Sequence, residues 1–239
     1  MLGVWSILDE SRDSLGARFI TSLANRLSLG GKRVLILEAC PERPSLDVAL
    51  GVAEKVVYTL SDVGSVLPRQ AILTVGKNID FVPCAVDALD VTASAERLAA
   101  CIRADAWDVV LILFERAAYE AVKTVSDGVL LLTDPSFASL RACAAFAAAF
   151  PVSGCLLSDF VPTRSGVGAM PPLREITDML GVPLLGILPR LRADNTSRGE
   201  RKKFLLAVRN VAARLSGKQI PLLQGISLKR MRKRDFFER

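Results

Sequence analysis

The chain has 239 residues, of which 51% are hydrophobic, and this is enough to enclose one large α/β core. It contains no histidine, which excludes the commonest general base, the usual serine and cysteine catalytic triads and most zinc sites. Its five cysteines are scattered without a C-x-x-C pair, a usage typical of buried free thiols in a reducing cytoplasm rather than of a metal site.

Charge is distributed unevenly along the chain. Residues 190–239 hold fifteen Lys and Arg against four Asp and Glu, whereas residues 1–189 hold sixteen against twenty-one. A neutral-to-acidic body therefore carries a basic C-terminal fifth. This asymmetry indicates an anionic partner for that fifth, either lipid headgroups or nucleic acid, and the alternative is a solvated basic surface that aids solubility.

The first forty residues predict a strand, a loop, a helix and a second strand. Residues 4–8 and 33–39 are apolar runs, and residues 19–29 between them place apolar side chains at helical spacing, up to a stop at Gly30 and Gly31. Two buried parallel strands joined by a helix form a βαβ unit. The loop after the first strand of such a unit lies at a helix N-terminus, where free backbone amides favour phosphate.

That loop lacks what phosphate binding requires. Residues 9–18 read DESRDSLGAR, with one glycine, no lysine and three carboxylates. Without glycines the backbone cannot wrap its amides closely around a phosphate, and the carboxylates repel an anion. The sequence therefore predicts the architecture of a nucleotide-binding protein whose phosphate-binding loop has been lost.

Apolar runs and amphipathic segments alternate through the rest of the chain. We predict strands at 79–83, 108–114, 128–133, 154–158 and 183–188, and helices at 45–51, 56–67, 92–103, 119–125, 136–150, 173–180 and 201–215. Alternation of this kind predicts a mostly parallel β-sheet with helices on both faces. Residues 1–216 are assigned to this α/β domain, and residues 217–239 to a basic C-terminal tail.

Six segments carry a resemblance to known proteins. They are 29–37 (LGGKRVLIL), 45–52 (SLDVALGV), 57–63 (VYTLSDV), 126–141 (SDGVLLLTDPSFASLR), 180–189 (LGVPLLGILP) and 217–222 (GKQIPL). In this order they resemble segments of the MinD/ParA family of deviant-Walker (SIMIBI-class) P-loop ATPases, essentially from end to end. The resemblance implies the P-loop NTPase fold of that family and a role in placing division septa, chromosomes, flagella or secretion machinery.

The phosphate loop of the family, G-K-G-G-V-G-K-T, falls on residues 11–18. Arg12 stands where the resemblance places a signature lysine that crosses a dimer interface. Ala17 replaces the lysine that neutralises the phosphates, and Arg18 replaces the hydroxyl residue that holds Mg²⁺. On this loop the vestigial nucleotide site comprises Ser11, Arg12, Asp13, Ser14, Gly16, Ala17 and Arg18.

Replacements continue beyond the loop. Glu38 and Cys40 stand where the family has the two aspartates of its D-x-D motif. Leu113 and Phe114 end the strand that should finish in Asp and a hydroxyl residue, and Ser158 replaces an adenine-reading Asn. Because such groups supply most of the catalysis of phosphoryl transfer, the resemblance implies a pseudo-ATPase. We expect no catalytic residue and no metal site, with binding of ATP and Mg²⁺ weak or lost.

Several of these residues also have a structural interpretation. Arg12 and Arg18 are interpreted as surface charges paired with nearby acids, with anion binding as the alternative. Glu38 is interpreted as a capping or ion-paired carboxylate rather than a general base. Cys40 lacks a basic neighbour in the adjacent sequence and is interpreted as an inert thiol, and Leu113 as a core residue.

These observations predict a binding, regulatory or positioning protein of the cytoplasm, peripheral to the inner face of the cell membrane. Its expected partner is a protein, either a second copy of the chain or an active MinD/ParA-like paralogue. Two alternatives remain. One is an active ATPase with an altered nucleotide site, and the other is a ParA-like protein that binds DNA through the basic C-terminal fifth.

The end of the tail, residues 225–239 (GISLKRMRKRDFFER), resembles the short amphipathic helix with which MinD-like proteins end. We predict that it binds an anionic membrane weakly and reversibly, because each positive charge contributes about 1 kcal/mol near such a surface. A disordered basic tail is the alternative. The residues predicted to contact lipid are Leu228, Lys229, Arg230, Met231, Arg232, Lys233, Arg234, Phe236 and Phe237.

Overall fold

The computed structural model describes residues 3–11, 15–40, 45–83, 90–160, 171–189 and 198–222. Its backbone contacts divide the chain into two compact units. Unit 1 consists of Met1–Asp9 and Gly16–Val129, and unit 2 of Glu10–Leu15 and Leu130–Arg239. Each unit combines hydrogen-bonded strands with helices that connect them.

Unit 1 is an α/β unit in which the strands are mostly parallel. Its strands are β1 (Gly3–Asp9), β2 (Val34–Ala39), β3 (Leu73–Gly76), β4 (Ile79–Val82) and β5 (Val109–Phe114), and its helices are α1 (Gly16–Leu29), α2 (Leu46–Ala49), α3 (Val91–Arg103) and α4 (Tyr119–Val122). The strands lie in the order β3-β4-β2-β5-β1. All neighbours pair in parallel except β3 and β4, which are antiparallel.

The centre of unit 1 is formed by β2 and β5, in which every residue is buried. Continuous burial is expected of parallel strands that are covered on both faces. Helix α1 contacts β1, β2, β4 and β5 and contributes Phe19, Ile20 and Leu23, all fully buried. Leu113 is in register with both Ile7 and Glu38, so β1, β5 and β2 end at the same edge.

Unit 2 is built in the same way. Its strands are β6 (Gly128–Thr133, of which residues 130–133 belong to this unit), β7 (Gly154–Ser158) and β8 (Leu184–Leu188), and its helices are α5 (Phe137–Ala149), α6 (Leu173–Leu180) and α7 (Arg198–Leu215). The strands lie in the order β6-β7-β8 and pair in parallel.

Helix α7 approaches β8 closely because β8 contains a glycine. A Cβ atom at Gly186 would lie 2.6 Å from Cγ2 of Val211 and 3.2 Å from Cδ2 of Leu156. No ordinary side chain tolerates the shorter of these distances. Gly186 therefore allows α7 to lie directly on the strand. Phe204 and Val208 of the helix are also buried.

The segment that follows α7 is held by Arg214 in the last turn of the helix. Its Nη1 donates to the carbonyl oxygen of Leu185 in β8 at 2.7 Å. Its Nε donates to the carbonyl of Ile220 at 3.1 Å, and its Nη2 donates to the carbonyl of Pro221 at 2.6 Å. One side chain thus joins β8 to residues 220–221.

The predicted fold class is confirmed, since the strands are mostly parallel and alternate with helices. The helix predicted at 56–67 is wrong. The chain forms 3-10 turns at Ala53–Lys55 and Leu60–Asp62, and the backbone is extended at Val56 and Thr59. Both are β-branched residues that favour extended backbone, and the Thr59 N–H and hydroxyl donate to the Asp62 carboxylate instead of continuing a helix.

The sequence analysis missed β3, a four-residue edge strand joined to β4 by a tight turn in which Asn78 has a φ of 57°. It also placed the start of α3 at Thr92. The helix begins at Val91, and Asp90 caps it by accepting a hydrogen bond from the Ala93 N–H at 3.0 Å. Helix α7 begins at Arg198, before the predicted residue 201.

The boundary predicted after residue 216 stays a prediction, because residues 223–239 lie outside the described residues. None of the described helices is long and apolar enough to cross a membrane. Among the described residues, Cys40, Cys101, Cys143 and Cys155 are buried and form no disulfide. Burial raises the pKa of Cys101 to about 12, which keeps that thiol protonated and unreactive.

Candidate functional site

The N-terminus of α1 is where the sequence predicts a vestigial phosphate site, and two amides there are already paired. The Gly16 N–H donates to Oδ2 of Asp9 at 2.6 Å. The Leu15 N–H donates to Oγ of Ser11 at 3.2 Å. The chain therefore supplies both a carboxylate and a hydroxyl at a helix start that otherwise attracts anions.

Gly16 is the one residue that the loop shares with the resembled motif, and it has a local structural reason. A Cβ atom there would lie 2.8 Å from Oδ2 of Asp9 and 2.8 Å from Cδ1 of Leu113. A side chain at this position would push away the carboxylate that caps the helix. Gly16 thus allows the close approach of Asp9.

The other loop positions divide into described and undescribed residues. Arg12, Asp13 and Ser14 lie outside the described residues. Ala17 is buried and Arg18 is exposed. Because Arg18 is exposed, its interpretation as a surface charge agrees with the structure. The salt bridges within the described ranges do not include Arg18, so the structure gives it no acidic partner there.

Glu38 acts as a cap for α2. Its Oε1 accepts hydrogen bonds from the N–H groups of Ser45 at 2.7 Å and Leu46 at 2.9 Å. The residue is only 1% exposed, and within the described part of the chain its Oε2 has no hydrogen-bond partner. Burial raises the pKa of Glu38, while the two amides, which stabilise the charged form, oppose that shift. The capping interpretation therefore agrees with the structure.

The remaining predicted positions are also part of the packed structure. Cys40, Leu113 and Phe114 are buried, as are the strands to which they belong or adjoin. Ser158 is 2% exposed, and its hydroxyl donates to the carbonyl of Thr133 in the neighbouring strand at 3.1 Å. Its hydrogen-bonding capacity as a donor is thus used within unit 2.

Sequence analysis missed a second capped helix start, at α5. Asp134 accepts from the Ser136 N–H through Oδ1 at 2.8 Å and from the Ser139 hydroxyl through Oδ2 at 2.9 Å. The Ser139 N–H in turn donates to Oγ of Ser136 at 3.3 Å. The spacing Asp-x-Ser-x-x-Ser before an apolar helix was the available signal, since these residue types favour helix starts.

Across the described ranges, no group of three or more Cys, Asp or Glu side chains is placed to hold a metal ion. Histidine does not occur anywhere in the sequence. The carboxylates of Asp9 and Glu38 instead accept hydrogen bonds from backbone amides.

No family model matches the chain. The septum site-determining protein MinD of Synechocystis sp. is 25% identical over an alignment of 234 residues. The alignment covers 84% of this chain and 85% of the relative. The MinD cell division protein of Aquifex aeolicus superimposes with a TM-score of 0.76 at 22% identity, covering 92% of this chain and 99% of that one. The chain is MinD/ParA-like.

Two further solved structures are also similar to the chain. The MinC:MinD cell division protein complex of Aquifex aeolicus matches with a TM-score of 0.79 at 22% identity, covering 92% of this chain and 98% of that one. A plasmid partition protein from Borrelia burgdorferi matches with a TM-score of 0.68 at 13% identity, covering 91% and 99%. The resemblance stated from six sequence segments is thereby confirmed, and with it the MinD/ParA-like fold.

Proposed function

We propose that this MinD/ParA-like chain does not turn over ATP and acts as a binding, regulatory or positioning protein. The observation that carries the proposal is the hydrogen bond from the Gly16 N–H to the Asp9 carboxylate at 2.6 Å. In a P-loop protein the start of this helix receives a phosphate group. Here the Asp9 carboxylate accepts the hydrogen bond of the Gly16 amide and supplies the negative charge that a nucleotide would otherwise bring.

The cost of replacing that carboxylate supports the proposal. A hydrogen bond to a charged group contributes about 1.5–3 kcal/mol, which a phosphate would have to break. If the carboxylate stayed within about 4 Å of the phosphate, repulsion would add about 4 kcal/mol per pair of charges at an effective dielectric constant near 20. Ala17 and Arg18 supply neither the lysine nor the hydroxyl ligand of the resembled motif. The residues described here therefore fit Mg-ATP poorly.

A protein partner accounts for a chain of this fold that has no turnover of its own. One solved relative is a MinC:MinD complex, and an analogous partner, a second copy of the chain or an active paralogue is proposed here. The chain would act in the cytoplasm at the inner face of the membrane, in placing septa, chromosomes, flagella or secretion machinery. An ATPase with an altered site is the alternative that the next experiment tests.

The melting temperature of the purified protein is expected to change by less than about 1 °C in millimolar Mg-ATP. A ligand at a hundred times its Kd stabilises a protein by about 2.7 kcal/mol, which corresponds to several degrees for a chain of this size. Mg-tripolyphosphate is the control for binding of any polyanion to the basic surface. A rise of several degrees with Mg-ATP that tripolyphosphate does not reproduce would show a working nucleotide site and overturn the proposal.

Membrane binding by the tail is a separate prediction, because residues 225–239 lie outside the described residues. Co-sedimentation with anionic vesicles is expected to weaken at least tenfold in Phe236→Ser/Phe237→Ser and to weaken further after truncation behind Gln224, since two apolar side chains and most of the tail charge are removed. Neutral vesicles are the control. Equal binding by the wild type and the Phe236→Ser/Phe237→Ser variant would contradict insertion of the tail.

A further inference from the structure

The exposed face of α7 carries a line of positive charge. Arg198, Lys202, Leu205 and Arg209 are all exposed, and at 100° per residue they fall within about 60° of one another around the helix axis. We call these four residues the cationic stripe. It extends over about 16 Å, given a rise of 1.5 Å per residue.

The rest of α7 fixes the direction of the cationic stripe. Phe204, Val208 and Val211 are at most 2% exposed, and they lie about 90–150° around the helix from the centre of the stripe. Val211 reaches β8 at Gly186, where a Cβ atom would lie only 2.6 Å from its Cγ2. The helix therefore packs closely on β8, and the stripe lies on its exposed side.

The charges of the stripe have no ion-pair partner among the residues that the structure describes. The only carboxylate of α7, that of Glu200, lies about 200° around the helix from Arg198. No salt bridge within the described ranges involves Arg198, Lys202 or Arg209. Arg198 and Lys202 are also like charges at i and i+4, and Arg198 lies in the first turn of the helix, where the helix dipole disfavours cations. This arrangement costs the isolated helix stability, and a facing anion would recover it.

The apolar member of the stripe indicates which anion. Leu205 is 47% exposed and lies between Lys202 and Arg209. The phosphates and sugars of a nucleic acid offer a leucine little apolar surface, whereas a bilayer accepts apolar side chains beneath its headgroup phosphates. Long cationic side chains suit the same boundary, because their aliphatic stems lie in apolar surroundings while their charged ends reach the headgroups. The sequence beyond α7 also interleaves basic and apolar residues at 225–239.

We propose that the cationic stripe of α7 binds the surface of a bilayer that contains anionic lipids. It forms a folded lipid contact in addition to the predicted tail, and two linked contacts bind a surface much more tightly than either alone. The proposal does not depend on whether the chain binds nucleotide.

The test is co-sedimentation of the full chain with phosphatidylserine/phosphatidylcholine vesicles and with pure phosphatidylcholine vesicles. The stripe variant is Arg198→Gln/Lys202→Gln/Arg209→Gln. The matched control is Arg26→Gln/Lys55→Gln/Arg103→Gln, which removes three exposed cations of unit 1 and the same net charge. Thermal melts of all variants establish that each is folded.

The stripe variant is expected to raise the Kd for anionic vesicles roughly 100-fold, because each cation contributes a factor of about five. The control is expected to raise it by no more than about threefold, through its smaller long-range effect. Leu205→Ser is expected to raise it about fivefold on vesicles and to leave binding to random-sequence duplex DNA unchanged.

Four results would overturn the proposal. The first is a wild-type protein that does not bind anionic vesicles. The second is a stripe variant that binds them like the wild type, which would leave the tail as the lipid contact. An equal loss in the stripe variant and its control would mean that net charge alone matters. Loss of duplex DNA binding in the stripe variant, with Leu205→Ser unchanged on vesicles, would identify the stripe as a nucleic-acid surface.

Discussion

Glu38→Leu is expected to lower the free energy of unfolding by about 2–4 kcal/mol at neutral pH, whereas Glu38→Gln is expected to change it by less than about 1 kcal/mol. Leucine removes the acceptor of the Ser45 and Leu46 amides and leaves both without a bond at the start of α2. Glutamine keeps a carbonyl oxygen in the place of Oε1. Urea denaturation measures both values, and a leucine variant as stable as the glutamine variant would contradict the capping role.

The buried carboxylate of Glu38 is also expected to make the free energy of unfolding depend on pH. Burial raises the pKa of Glu38 in the folded protein above its ordinary value of 4.5, so the folded state binds this proton more readily than the unfolded state. Its contribution to stability is therefore fully present below pH 4.5 and is lost as the pH rises through the folded pKa. Asp105, held by Arg33, has a pKa lowered to about 2, and its contribution is lost only at pH values below the ordinary 3.8.

The difference in unfolding free energy between wild type and Glu38→Gln isolates this group, because the glutamine does not titrate. As the pH rises above 4.5, the wild type is expected to lose stability relative to the variant. A difference that stays constant from pH 4.5 to neutral pH would show that the pKa of Glu38 is not raised. A difference that moves in favour of the wild type would mean that the two amides outweigh burial.

Gly186→Ala is expected to lower the free energy of unfolding by about 1–3 kcal/mol, the usual effect of forcing an extra methyl group into a packed contact. The new Cβ would lie 2.6 Å from Cγ2 of Val211, and a valine has little freedom at χ1 to move aside. The matched control is Gly76→Ala, where the nearest atom is Cδ1 of Ile79 at an ordinary 3.4 Å.

A double variant makes this second prediction specific. Val211→Ala alone leaves a cavity and destabilises the protein, but it also makes room for the methyl group of Gly186→Ala. The two losses are therefore expected to add to more than the loss in the double variant, with a coupling of at least about 0.5 kcal/mol. Simple additivity in urea denaturation would show that the two positions are not in contact.

The sequence was sufficient for the overall fold because continuous apolar runs and amphipathic segments are strong signals. β2 and β5 are buried throughout, so their composition alone indicates central strands. β3 gave no such signal, since it has four residues and is held as an edge strand by its turn and by β4. The segment at 56–67 has apolar residues at spacings that fit a helix, but side-chain hydrogen bonds from Thr59 to Asp62 fix a different backbone.

The candidate site was predictable as a set of replaced residues but not as a structure. Asp9 was recognised as a charge that repels an anion, yet its bond to the Gly16 amide depends on how closely β1 and α1 approach. Glu38 was interpreted as a capping or ion-paired carboxylate without a named partner, because the amides of Ser45 and Leu46 come from beyond an intervening loop. Spacing along the chain does not determine such distances.

The hydrogen bonds of Arg214 to β8 and to the segment after α7 determine how this region responds to salt. Its guanidinium bonds to three neutral carbonyl oxygens, those of Leu185, Ile220 and Pro221, rather than to a carboxylate. Ionic screening weakens interactions between separated charges much more than short hydrogen bonds to dipoles. Salt that releases α7 from an anionic surface is therefore expected to leave residues 220–221 bound to Arg214 on unit 2.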